Sequence, residues 1–313
     1  MTTTITHHEG IGMPAFDTSE PIAAVIDTAT ANIRVSASDR ADTVVEVRPS
    51  DAHNDADVQA AEQTHVDYAN GRLLVRSDKE PTGWGTDWGL SLGKLVESPA
   101  DWARSLVLGP GSIDVTIELP TGSRLDVRTA GSVVCQGPVG EVSLSTSYGD
   151  LQVERASRLR LRNTYGDIHV THAYGHTEVT NSHGDIDIGR IDGTAAVKNS
   201  HGDIRLGTVT GDLRLNSAHG DATVDLALAG VRAMTSYAGV RIGEAAAGSI
   251  VMQTTGGGLD LGIRRGTAAW LDVSSRYGTV DVSLDPSDAP AESEPVVEVR
   301  AHTDYGDIVI HHS

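Results

Sequence analysis

Three histidines, His183, His201 and His219, stand 18 residues apart, and each is followed by Gly and Asp. Imidazole with carboxylate is a zinc donor set, and carboxylates alone suit calcium. The aspartates form a longer series: Asp150, Asp167, Asp185, Asp203 and Asp221, with Asp307 beyond. In that series Tyr148, Tyr165 and Tyr305 take the histidine position, and Tyr237 and Tyr277 take the same or a neighbouring one. The spacing argues against a metal. Zinc wants tetrahedral ligands at ~2.0–2.2 Å, whereas groups repeated from strand to strand stand in a line ~4.8 Å apart. Tyrosine also substitutes freely for histidine. The rings are expected to stack and the aspartates to accept N–H bonds at turns, with no metal and no cofactor. The nonapeptide calcium repeat G-G-x-G-x-D is absent. The stretch "TTGGGLDLG" lacks the Gly-Lys-Ser/Thr of a phosphate loop, and neither G-x-S-x-G nor H-E-x-x-H occurs, so no catalytic residue is assigned.

What must position these groups is a tandem repeat. The first apolar residue after each turn falls at Val133, Leu151, Ile168, Ile186, Ile204, Ala222, Val240, Leu259, Val280 and Ile308. The steps are 18, 17, 18, 18, 18, 18, 19, 21 and 28 residues. Each of Leu151, Ile168, Ile186 and Ile204 has an apolar partner two residues on, the period of a strand with one buried face. A second strand follows half a repeat later, as in Leu159-Arg-Leu161 and Leu213-Arg-Leu215, and a third apolar point recurs at Val139, Ile191 and Val209. Gly149, Gly166, Gly184, Gly202 and Gly220 precede the strands, where a corner needs φ > 0 or close backbone approach. Asn163, Asn181 and Asn199 would form a ladder of side-chain amides, a device of stacked coils. No 10-residue segment of helical period separates the strands, which argues against βαβ units. The reading is all-β: a single-chain parallel β-solenoid of about ten coils, each of ~18 residues.

The flanks have a different texture. Residues 1–20 read as a flexible tail, and 21–112 as an N-terminal β segment that caps the rod, with a hairpin turn at Asn70-Gly71. Within it, 82–112 carries Trp84, Trp88 and Trp102, and "SPADWARSLVLG" reads as a short helical insertion. These tryptophans are expected either in the cap or on a partner surface. Residues 113–313 form the repeat domain, with a protruding loop at 285–295 rich in Pro and acids.

Acids outnumber bases 43 to 24, for a net charge of −19, which argues against nucleic acid. Cys135 is the lone cysteine, so neither a disulfide nor a Cys-based zinc site is available. Aromatic residues make up only 4%, which suits a narrow core of Ile, Leu and Val. The N-terminal stretch lacks the features of a secretory signal and no segment suits a membrane span, so a cytoplasmic location is expected.

The ladder "TSYGDLQV", "NTYGDIHV", "NSHGDIDI", "NSHGDIRL" resembles the bacterial β-strand-repeat, adhesin-like family also called toastrack, over about Ile113 to Ile310. The resemblance implies a β-solenoid without a defined activity, in some relatives associated with envelope-stress systems. The function expected is a non-enzymatic scaffold that binds another protein or itself. The alternatives are a carbohydrate-binding or carbohydrate-active β-helix, and a self-polymerising rod like the bactofilins. An enzyme would show a groove whose acids break the repeat, and a polymer would leave both ends of the rod uncovered.

Overall fold

The computed structural model describes residues 14–77, 111–284 and 296–313. The expected tryptophan-bearing helix and the 285–295 loop lie outside these residues, as does most of the N-terminal tail. The chain winds as a parallel solenoid with two strand-bearing faces, and the coils stack in the register that the repeat implies. Ile168 pairs with Ile186, Ile186 with Ile204, Ile204 with Ala222 and Ala222 with Val240. On the other face Thr177, Ala195, Leu213 and Val231 pair in the same way.

One coil shows how the sequence builds the section. Ile186 and Ile188 point inward from one face, Ile191 plugs the far corner, and Ala195, Val197 and Asn199 point inward from the other; all are buried. The in-register residues of neighbouring coils repeat this set, so the core is a continuous column only two side chains thick. Each buried Ile, Leu or Val contributes ~1.5–3 kcal/mol, and no coil could hold its apolar row without the next. Cys135 sits in this column, and burial pushes its thiol pKa up to about 12, so it is an inert packing group.

The N-terminal segment shares these sheets. Strand Ala23–Asp27 runs parallel to Arg124–Thr129, and Ala31–Ser38 runs parallel to Ile113–Pro120 and to Val133–Gln136. Antiparallel strands close that end of the rod: Asp42–Pro49 on Ile113–Pro120, Ala15–Asp17 on Asp42–Pro49, and Thr64–Ala69 on Arg72–Ser77. The last pair is the Asn70-Gly71 hairpin, with both residues at positive φ (50° and 73°), as a two-residue turn of this kind requires.

Helix Asp55–Glu62, not anticipated from the sequence, packs beside this end. Asn54 caps it by accepting from the Ala56 amide, and Asp55 and Asp57 lie in its first turn. The buried Asp57 accepts from the amides of Asp51 and Ser112, tying the helix to both neighbouring segments.

The far end departs from serial stacking. Leu259 pairs with Ile308, and Val280 also pairs with Ile308. The C-terminal strands Val296–Tyr305 and Ile308–His312 therefore slot beneath the coil that precedes them in sequence, leaving Ala268–Tyr277 and Val280–Ser283 outermost. Val297, Val299, Ile308 and Ile310 are 0–1% exposed in the interior position, whereas Leu271, Val280 and Val282 of the outer coil are 38%, 44% and 42% exposed.

The outer coil is held partly by Asp307, whose Oδ1 accepts from both the amide and the hydroxyl of Thr279 at 2.8 Å. These bonds, the amide first, hold the Asp307 carboxyl below its usual pKa. Because the folded-state value is depressed, the stabilisation is full above the ordinary carboxylate value and is lost as pH falls through the lowered one. The protection factors of the Val280–Ser283 amides are therefore expected to fall below about pH 4 while those of the central coils hold. An equal fall throughout the rod would contradict this.

Candidate functional site: the ring-bearing corner

The repeated glycine makes the corner possible. Gly184 has φ +120°, and a Cβ there would lie 2.2 Å from the Gly166 carbonyl oxygen; at Gly202 the figures are +112° and 2.3 Å from Gly184. The turns of successive coils are thus stacked backbone on backbone, with no room for a side chain.

That close stacking leaves glycine carbonyls facing inward, and the asparagines satisfy them. Asn181 Nδ2 donates to the carbonyls of Gly166 and Gly184, and Asn199 Nδ2 to those of Gly184 and Gly202. Asn163 does the same for Gly149 and Gly166. The amides are in register, yet each bonds to the turns of two coils rather than to the next amide. Further along, Ser217, Thr235 and Thr254 take over with hydroxyl bonds to Gly220 and Ala238. Asn181→Ala is expected to remove one of the two amide donors from each of the Gly166 and Gly184 carbonyls and cost about 1–2 kcal/mol in urea unfolding, with Asn181→Ser costing less because one bond survives. Equal stability of all three proteins would contradict this.

The aspartates link coils on the outer side of the same corner. Asp150 Oδ1 accepts from the Asp167 amide, Asp167 from Asp185, Asp185 from Asp203, Asp203 from Asp221 and Asp221 from Gly239, at 2.8–3.0 Å. One oxygen of each carboxylate is therefore engaged by the backbone of the next coil. Arg205 bridges Asp185 and Asp203 through their other oxygens at 3.2 and 2.7 Å, easing the repulsion within the row.

Outside the carboxylates stand the rings. Tyr148, Tyr165, His183, His201, His219 and Tyr237 stack one on the next, with centroids 5.3, 4.6, 4.8, 5.0 and 5.6 Å apart. Tyr148 and Tyr237, at the two ends, are 62% and 67% exposed. Tyr305 and Tyr277 form a second stack at 5.0 Å near the open end. Gly256, in register with Tyr305, contributes no ring between the two stacks. Among the described residues no group of three or more His, Cys, Asp or Glu side chains is placed to hold a metal ion.

One cluster breaks the repeat. On the outer sheet face Ser274 Oγ lies 2.8 Å from His302 Nδ1, and His302 Nε2 lies 3.9 Å from Asp272 Oδ2. Arg276 and Asp304 complete a shallow open depression. The Ser–His–Asp order is that of a nucleophilic triad, but the aspartate is beyond hydrogen-bond distance.

Sequence reasoning named the glycines, aspartates, asparagines, histidines and tyrosines of the corner but not Ser217, Thr235, Thr254 or Arg205, which stand there too. It missed the exposed apolar groups of the outermost coil: Trp270, Leu271, Val280 and Val282. The lengthening of the last two steps to 21 and 28 residues was the available signal. Trp84, Trp88 and Trp102 lie outside the described residues.

These features define a class: a parallel β-solenoid whose repeated polar residues serve the corner between coils. A family model described as Toastrack DUF4097 matches residues 23–311. The chain belongs to the Toastrack family. The match begins at strand Ala23–Asp27, well before the HGD ladder.

Similar solved structures include a candidate lipid-binding protein from Parabacteroides distasonis (11% identity, 95% of this chain and 96% of that one, TM-score 0.46). A candidate adhesin from Bacteroides fragilis (14%, 96% and 98%, TM-score 0.28) and a candidate cell adhesion protein from Clostridium sporogenes (10%, 96% and 99%, TM-score 0.23) are also similar. No curated protein matches the sequence significantly. No described helix is long and apolar enough to cross a membrane.

Proposed function

We propose that this Toastrack protein is a non-enzymatic interaction module that presents its ring-bearing corner to a protein partner. The observation that carries the reading is the exposed stack from Tyr148 to Tyr237, backed by a rigid carboxylate row. It is a pre-ordered edge of aromatic and acidic groups spanning six coils, so a partner would order little on binding. Tyrosine presents an apolar body with a polar tip, the combination enriched at protein interfaces. A partner carrying basic side chains on an extended segment fits the net charge of −19.

The carbohydrate reading is less well supported, because sugar recognition uses open ring faces and here neighbouring rings occupy one another's faces. The test is chemical cross-linking in the source cell with the parent and with a Tyr148→Ser, Tyr165→Ser, Tyr237→Ser variant. The reading expects the variant to melt like the parent and to lose specific protein cross-links. Cross-links indifferent to the rings would overturn it.

A further inference from the structure

The two ends of the rod are unlike. Antiparallel strands and a helix close the N-terminal end, whereas strand Ala268–Tyr277 pairs with Val296–Tyr305 and, among the described residues, with no other strand. Strand Val280–Ser283 likewise pairs only with Ile308–His312. The inward residues of this last coil are uncovered. Leu271, Val280 and Val282 are 38%, 44% and 42% exposed, while their in-register partners Val299, Ile308 and Ile310 are 0–1% exposed. An open edge of this kind is an established liability, because its N–H and C=O groups and its apolar row invite another strand.

We infer that this end is the interface of a two-fold dimer, in which a second copy of the chain pairs its own Ala268–Tyr277 and Val280–Ser283 strands antiparallel to the first.

The inner rows are self-complementary. One face contributes Ala269, Leu271 and Val273, and the other Val280, Val282 and Leu284, of which Ala269, Val273 and Leu284 already pack on the core. Such self-pairing, centred on Leu271 in one strand and on Val282 in the other, sets each of these side chains against its copy. It also sets Ala269 against Val273 and Val280 against Leu284, apolar on apolar at each place. On the outer face the same rotation sets Asp272 opposite Trp270 and Asp281 opposite Ser283, so like charges do not face one another. Pairing of this kind is isologous and closes after two copies. Closure after two copies separates this assembly from a polymer.

The chain's own undescribed segments do not suit the site. Residues 78–110 attach at Ser77 and Gly111, about 11 strand spacings or ~53 Å from the open end. Reaching it and returning would take ~106 Å of the ~119 Å that 33 fully extended residues span at most, leaving only a few residues to lie across the opening. Residues 285–295 adjoin the open end but consist of Asp, Pro, Ser, Ala and Glu, with no large apolar side chain to seal it.

The test is sedimentation of the full chain over a dilution series. Two short strands give an interface at the small end of the specific range, so association is expected near ~10 µM. At about 100 µM the average mass should approach twice the 32.8 kDa of one chain, at about 1.8-fold. Leu271→Asp should sediment as a single chain at every concentration with an unchanged melt, since that side chain is already part-exposed. Leu271→Cys should form an intermolecular disulfide on mild oxidation, because the axis brings its two copies within disulfide range, whereas Cys135 is buried and silent. A parent of single-chain mass, a dimer that survives Leu271→Asp, or the absence of a covalent Leu271→Cys dimer would each overturn the inference. The Tyr148, Tyr165 and Tyr237 triple variant should dimerise normally, so failure here and failure of the corner reading are distinguishable.

Discussion

Replacing Ile186 or Ile204 with Asp should unfold the central coils outright. Both side chains are fully buried, and they pair with each other in the stack. Their other register neighbours, Ile168 and Ala222, are buried and apolar, so the new carboxylate would find no cation or donor. An unpaired charge at such a site costs several kcal/mol even after local relaxation. That is a large share of the ~5–15 kcal/mol that holds a typical domain together. The column is only two side chains thick, so it has no second layer in which to absorb the defect. A melt followed by circular dichroism should show loss of the cooperative transition or a drop of tens of degrees. Lys198→Asp, on an exposed position of the neighbouring face, should change stability by no more than about 0.5 kcal/mol. A parent-like melt for Ile186→Asp would contradict the register itself.

The second large effect is expected at the corner. Gly184→Ala adds one methyl group, yet that carbon would stand 2.2 Å from the Gly166 carbonyl oxygen at a φ of +120°. Either the backbone rotates, breaking contact with the coil below, or the coils separate. Both routes combine backbone strain with lost ladder bonds, so the cost should exceed about 3 kcal/mol. Gly71→Ala provides the contrast. Gly71 also has positive φ (+73°), but nothing lies within 4 Å of its added carbon, so only the conformational cost of about 1 kcal/mol applies. Urea unfolding of the two variants should separate close packing from backbone preference. Similar losses for both would mean that stacked turns are not what demands glycine at position 184.

The sequence made the repeat register readable because parallel stacking copies one residue pattern many times. The run from Leu151 to Leu259 pairs as the spacing implies. Periodicity is silent on the order of coils, however. Leu259, Val280 and Ile308 all fit the same inward position, and strand pairing across dozens of residues is settled by which row is better buried.

The antiparallel closure of the other end was hidden for a related reason. The alternation of Val45 and Val47 marks a strand with one inner face but not its direction. Helix Asp55–Glu62 is short and weakly apolar, so its signal was confined to the Asn54 cap and the first-turn acids. At the corner, residue types were legible but bonding partners were not. The amides of Asn163, Asn181 and Asn199 face glycine carbonyls because close-stacked turns leave those oxygens without other donors.

The central claim is that the repeated His, Asp and Tyr residues build and display the corner rather than hold a metal. A thermal melt in EDTA, followed by addition of zinc or calcium, tests it most directly. A ligand bound to the folded state raises the midpoint by mass action, and its removal lowers it. Since one oxygen of each ladder carboxylate already accepts a backbone N–H, and the imidazoles from His183 to His219 lie stacked in a line, the midpoint should be the same under all three conditions. A fall of several degrees in EDTA, restored by either metal, would contradict the account.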